Sequence, residues 1–398
     1  MEFIGAFLLV MLFMFIGEWV SSASHAYIPS VFVTAALFLV GFWTIMPKDV
    51  GVRASYSPQF ISIAVSILLV HLGTLMSLKE LIQQWKAVCI SLLGVAGTFV
   101  LCLTIGTMIF DWHTVIAAVP PLTGGMVSAL LITNGLKAQG LTALVALPIS
   151  MFVTHSVLGY PLISYMLRQE DTRLIKEFHA NGDQLPEDLF ESSMDADDSG
   201  QPGVLHLPAK FQTSAFIMAR IAFVALLSTG LSIFLKTVCH FDLNANVICL
   251  IMGVIAHQLG FLENNALNKA GVFNWLMYGL LAYIFCQLSA TTPSIFGHII
   301  IQIVVLIVLG LSGMFLASWI LAKPFGMSWQ MAFACSLTAL CGFPADYILT
   351  SEVANTVAKT EDEEKYVLHH TMPKMLVGGF ATVSVASVVI ADVFLKLL

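Results

Sequence analysis

Ten runs of mostly apolar residues, each long enough to cross a bilayer as a helix, set the terms for this chain. They cover about 3–20, 28–47, 58–78, 86–110, 141–167, 212–236, 243–261, 272–291, 297–322 and 371–395. The chain has too little charge to coat a water-facing surface. Of its 398 residues 10% are charged and 58% hydrophobic, whereas soluble domains carry about 25% charged residues. Lipid is therefore the solvent expected over most of the length. The first run follows an acidic residue, Glu2, and lacks the basic n-region of a cleaved signal peptide, so it reads as a retained span.

Two further apolar segments are interrupted. Segment 114–136 carries Pro120, Pro121, Gly124 and Gly125 at its middle, and segment 328–352 carries Gly342 and Pro344. Proline removes a backbone donor and glycine weakens a helix. Irregular backbone at membrane depth cannot face lipid, so it belongs inside protein or beside a wet cavity. The two segments take matching places in the chain. Gly125 aligns with Gly342 and Thr133 with Thr350, and each segment is followed by a helix with an early proline, Pro148 and Pro373.

This points to a duplication, with 1–167 as the first repeat, 168–211 as a linker and 212–398 as the second repeat. Each repeat has five full spans and one broken, re-entrant element. Five is odd, so the second repeat enters from the opposite side and the repeats are inverted. The predicted fold is an all-α polytopic membrane protein of two inverted repeats, a plan on which broken segments mark the binding site of a secondary transporter. The linker is acidic and poor in β-branched residues, and is expected to be flexible and cytoplasmic. With both termini outside, twelve of the 17 Lys and Arg residues fall on the inner side and five on the outer.

A helix break frees amides that attract anions and carbonyls that attract cations. The candidate binding residues are Thr123, Gly124, Gly125, Ser128 and Thr133 in the first break. In the second they are Thr338, Cys341, Gly342, Asp346 and Thr350. Asp346 is the most informative, because an aspartate in an apolar segment is costly and marks function by default. It could ligate sodium, hold a proton, pair with a cationic substrate group, or cap a half-helix in water. His71 faces either the pathway or a packed, hydrogen-bonded environment. Glu18 and Arg220 fit span ends, and His155, His257 and His298 have no partner evident in the sequence.

Other functions find little support. The seven cysteines lie in or beside apolar runs without CxxC or Cys/His ligand spacing, so neither a disulfide framework nor a metal site is expected, apart from sodium at Asp346. There is no GxSxG, HExxH, P-loop or GxGxxG, hence no enzyme and no self-contained ATP-driven pump. No basic patch invites nucleic acid.

Three stretches resemble the bacterial sodium/glutamate symporters. Residues 26–41 (AYIPSVFVTAALFLVG) are similar to the second span of that family, with its Ile-Pro. Residues 115–131 (VIAAVPPLTGGMVSALL) look like its first glycine-rich re-entrant motif. Residues 332–350 (AFACSLTALCGFPADYILT) resemble the second, with Cys341-Gly342-Phe343 as its core. The sequence departs from the family at Met126-Val127-Ser128 and at Pro344-Ala345-Asp346, where substrate would bind. The resemblance implies a homodimer in a bacterial inner membrane. It also implies symport of sodium, or a proton, with glutamate or a related small carboxylate by alternating access, without a further cofactor. A dicarboxylate or hydroxycarboxylate carrier, an exporter and a non-transporting membrane scaffold are the alternatives.

Overall fold

The computed structural model describes residues 2–75, 83–141, 144–183, 185, 213–238, 245–290 and 293–397. Among these residues every regular element is a helix. The long helices are α1 (Phe3–Ala23), α2 (Ser30–Thr44), α3 (Pro58–Gly73), α4 (Trp85–Leu101), α5 (Trp112–Ala138), α6 (Leu147–Ala180) and α7 (Ser214–Val238). They continue as α8 (Ala245–Gln258), α9 (Phe273–Cys286), α10 (Pro293–Ala322), α11 (Trp329–Leu337), α12 (Ala345–Val357), α13 (Glu361–Gly379) and α14 (Ser387–Leu395). Wide π-type turns extend α4 at Cys102–Gly106 and join α13 to α14 at Phe380–Ala386. Five described helical stretches are long and apolar enough to cross a membrane: Phe3–Ala23, Trp85–Ile109, Leu147–Ala180, Ser214–Val238 and Ile299–Ala322.

Polar residues at the helix starts set where the helices begin. Ser57 accepts the Phe60 amide before Pro58, Asp111 takes the Thr114 amide at 3.0 Å and its hydroxyl at 2.6 Å, and Ser328 accepts the Met331 amide at 3.1 Å. Each satisfies an amide that the first turn leaves free. The outward faces are apolar. Ile4, Leu8 and Phe15 of α1 and Ile301, Val308 and Trp319 of α10 are exposed, as lipid-facing residues should be.

The chain divides into two compact units. One comprises Met1–Val50, Gln84–Gln184 and Ile284–Leu398. Within it α4 crosses α10 where Gly97 meets Gly313, and a Cβ on either would strike the carbonyl of the other. The Thr98 hydroxyl donates to the Gly310 carbonyl at 2.9 Å beside that crossing. Small residues that admit close backbones drive helix pairing in lipid, where apolar side chains gain nothing by leaving their surroundings.

The other unit comprises Gly51–Gln83 and Leu185–Tyr283. It repeats the device: α3 meets α8 at Gly73 and Gly253, and a Cβ on Gly73 would lie 2.6 Å from the Val254 nitrogen. His71, fully buried, accepts the Leu267 amide on Nδ1 at 3.2 Å. Arg220 pairs with Glu263 at 3.3 Å and lies over the Phe261 ring.

The structure departs from the expected architecture in two places. Trp112–Ala138 is one α-helix with Pro120 and Pro121 inside it, so the first re-entrant element is not seen. And α6 continues through Ala180, into the segment expected to be linker. Arg173 reaches Glu170 at 2.7 Å and Glu177 at 2.8 Å, while Leu167, Leu174 and Phe178 are buried at helical spacing. Residues 186–212 lie outside the described residues.

Candidate functional site

The second interruption is real. Helix α11 tightens into a 3-10 turn at Thr338–Leu340, and α12 begins at Ala345. Between them Gly342 has φ +63°, a left-handed conformation that side chains make costly. The Phe343–Pro344 peptide is cis. A Cβ on Gly342 would press on Val383 of the π-type turn at 3.0 Å.

Buried polar backbone must find partners. Here they come from within the unit. The Cys335 carbonyl accepts the Ser91 hydroxyl at 2.8 Å and the Thr338 hydroxyl at 2.6 Å. The Thr338 carbonyl accepts the amides of Cys341 at 3.2 Å and Gly342 at 2.9 Å. The Leu340 carbonyl has His155 Nε2 at 2.8 Å and the Ser156 hydroxyl at 3.3 Å, both from α6. Gly159, one turn further along α6, leaves room for the Leu340 side chain. These carbonyls are already taken, so the break does not offer them bare to a cation.

What is left over is a carboxylate oxygen. Asp346, in the first turn of α12, is fully buried. Its Oδ1 accepts the Cys341 thiol at 2.7 Å, and its backbone carbonyl accepts the Thr350 hydroxyl at 2.7 Å. Its Oδ2 has no hydrogen-bond partner among the described residues. It lies against Gly379 of α13, where any Cβ would collide with it. Among the described residues no Lys or Arg side chain hydrogen-bonds to residues 338–346. A carboxylate in such a place must be protonated or matched by a positive charge close by.

No protein-family model matches the sequence, and no curated protein does. Among solved structures the chain is similar to the sodium proton antiporter MjNhaP1 of Methanocaldococcus jannaschii. The identity is 15% and the TM-score 0.42, over 99% of this chain and 100% of that one. That structure is an antiporter and not a sodium/glutamate symporter, so the resemblance drawn from the three short stretches is corrected.

The other predicted residues fall into two groups. Thr338, Cys341, Gly342, Asp346 and Thr350 form one connected constellation. Thr123, Gly124, Gly125, Ser128 and Thr133 lie along α5, which packs on the 338–340 turn. Thr123 donates to the Val119 carbonyl of its own helix at 3.3 Å. Ser128 and Thr133 are buried with no hydroxyl partner among the described residues. The side chains of residues 124–127 lie outside the described ones. No cluster of three or more His, Cys, Asp or Glu able to hold a metal occurs among the described residues.

Sequence reasoning missed His155, Gly379 and Asp171. The partners of His155 and Gly379 lie far away in sequence, so no local spacing could reveal them. Asp171 falls within 168–211, the segment that reads as an acidic linker. It is fully buried on α6, with neither carboxylate oxygen partnered among the described residues.

Proposed function

We propose that this chain is a secondary active transporter in which Asp346 takes up the coupling cation, a sodium ion or a proton. The single observation that carries this is the buried carboxylate whose second oxygen has no described partner, set beside a helix break. An intramembrane aspartate is expensive to keep. Here the surroundings meet the needs of the backbone and leave the carboxylate oxygen open, which is the arrangement a cation site requires. The acidic character of the break favours a cation over an anionic cargo as its direct occupant.

Reciprocal helix pairing supports the repeat reading. Within each unit α1 packs on α2 as α7 packs on α8, and α4 packs on α10 through the mutual Gly97–Gly313 contact. The fifth element of each half packs on the sixth of the other: α5 on α14, and α12 on α6. Such exchange is what a two-fold relation between halves 1–167 and 212–398 would produce, with alternating access as its consequence.

The test is flux in proteoliposomes holding the full chain, read with radiolabelled sodium and with an entrapped pH dye. Wild type should carry at least one of the two ions. Asp346→Asn, which keeps shape and removes charge, should lose that flux by about tenfold or more. Unchanged flux in the variant sinks the assignment. No flux of either ion in wild type favours a membrane scaffold.

A further inference from the structure

Both ring nitrogens of His155 face carbonyl oxygens. Nδ1 lies 2.9 Å from the Met151 oxygen, and Nε2 lies 2.8 Å from the Leu340 oxygen. Carbonyl oxygens only accept, and a neutral imidazole has one N–H. In the neutral ring one of these contacts would set two lone pairs against each other. The imidazolium fills both. His155 is fully buried, so a positive charge there needs a counter-charge close by. The Leu340 carbonyl it grips belongs to the peptide that leads into Cys341, and the Cys341 thiol is hydrogen-bonded to Asp346. An acid and a base thus hold the two sides of one peptide unit at the break.

We propose that His155 is the second ionisable member of the cation site. Its imidazolium balances the Asp346 carboxylate when the site is empty, and it gives up a proton when a monovalent cation settles on Asp346. The proposal rests on the Asp346 reading above. The charges balance at every stage. The empty site holds Asp346 at −1 and His155 at +1. The loaded site holds Asp346 at −1, the cation at +1 and a neutral His155. The Nε2–H bond breaks, its electron pair stays on nitrogen, and the proton leaves to water. Nδ1 keeps its proton on the Met151 carbonyl of its own helix. Leu340 then retains only the Ser156 hydroxyl, at 3.3 Å, from α6. Loading the cation therefore removes a hydrogen bond that holds the break in place.

Other titratable groups facing His155 are few. Cys341 and Asp346 belong to the break that His155 contacts through the Leu340 carbonyl, and Tyr160 lies on its own helix. Of the other elements packed on α6, α2 carries no titratable residue, and α5 offers His113 and Lys137. On α11 there is Cys335, on α12 Tyr347 and Glu352, and on α13 the ionisable residues from Glu361 to Lys374. His298 on α10 lies outside the described side chains. None of the described groups hydrogen-bonds to His155.

The experiment uses the full chain in nanodiscs, with nitrogen-labelled histidine read by NMR and carboxyl groups read by difference infrared spectroscopy. Sodium, lithium or potassium chloride is the probe, and choline chloride is the control. In wild type the His155 imidazolium signal should be present without the cation and lost with it, and the cation should change no protonated-carboxyl band. In His155→Gln, which keeps one amide donor but cannot be charged, Asp346 should become protonated when empty. A carboxyl band then appears, and the cation removes it. A neutral His155 in cation-free wild type, or an imidazolium that no alkali cation displaces, overturns the proposal. If Asp346→Asn binds the cation as wild type does, the Asp346 reading fails, whatever the histidine signal shows. The wild-type signals decide the matter even if a variant does not fold.

Discussion

Helix α5 carries two adjacent prolines and a Gly-Gly pair and stays helical from Trp112 to Ala138, whereas the segment from Trp329 to Val357 carries one proline and one central glycine and breaks. The difference lies in what surrounds each. A proline inside a helix costs one donor and about 3 kcal/mol, which tertiary packing can absorb. A break needs more: a residue that can turn left-handed, and donors ready to take the released carbonyls. Gly342 supplies the first at φ +63°. Ser91 and His155 with Ser156 supply the second, from two other helices. On α5 the described hydroxyls offer nothing comparable: Thr123 bonds back to its own helix, and Ser128 and Thr133 find no described partner. A break is thus a property of the neighbours as much as of the segment.

The strongest way to challenge this contrast is at Gly379. Any Cβ there collides with Asp346 Oδ2. Gly379→Val should abolish cation-dependent flux while leaving the chain helical by circular dichroism. The size should match Asp346→Asn, about tenfold or more. Retained flux would mean that the open oxygen is not the occupied one.

A paired substitution sharpens the comparison of the two segments. Gly342→Ala places a side chain at a left-handed position and against Val383, and should destabilise by about 1–3 kcal/mol. Pro121→Ala restores a donor inside an existing helix and should leave the unfolding midpoint in detergent unchanged or raised. Equal losses from the two substitutions would remove the distinction between a broken segment and a continuous one.

Much of the helix plan could be read from the sequence. Each of the ten apolar runs overlaps a described helix, and five of the described helical stretches are long and apolar enough to cross a membrane, because a backbone with no water to bond must bond to itself. The second break was legible because Gly342 and Pro344 lie four and two residues before a buried charge. The expected break in α5 failed because Pro and Gly were read without the donors that would have to receive them. The extent of α6 was hidden by composition. Residues 168–180 look like linker by charge, yet Leu167, Leu174 and Phe178 keep the spacing of a buried stripe. The roles of His155 and Gly379 were out of reach, since each acts on a residue more than thirty positions away.

The smallest expected effect concerns how the continuous helix begins. Asp111 starts α5, and the Thr114 hydroxyl and amide that it binds hold its carboxyl below the usual aspartate range. A carboxyl depressed in the folded state contributes stability that is complete above the unfolded-chain value of about 3.9. That contribution fades as pH falls through the lower folded value. Asp111→Ala should therefore cost about 1 kcal/mol or less at neutral pH, the group being solvent-exposed, and nothing once the wild-type carboxyl is protonated. Unfolding midpoints of the two proteins, compared from pH 7 downward, should converge in acid. A gap that stays constant with pH would show that the cap acts through shape rather than charge. A gap well above this range would mean that α5 is held by its first turn more than by the helices it packs against, and the account of why it tolerates Pro120 and Pro121 would have to begin there.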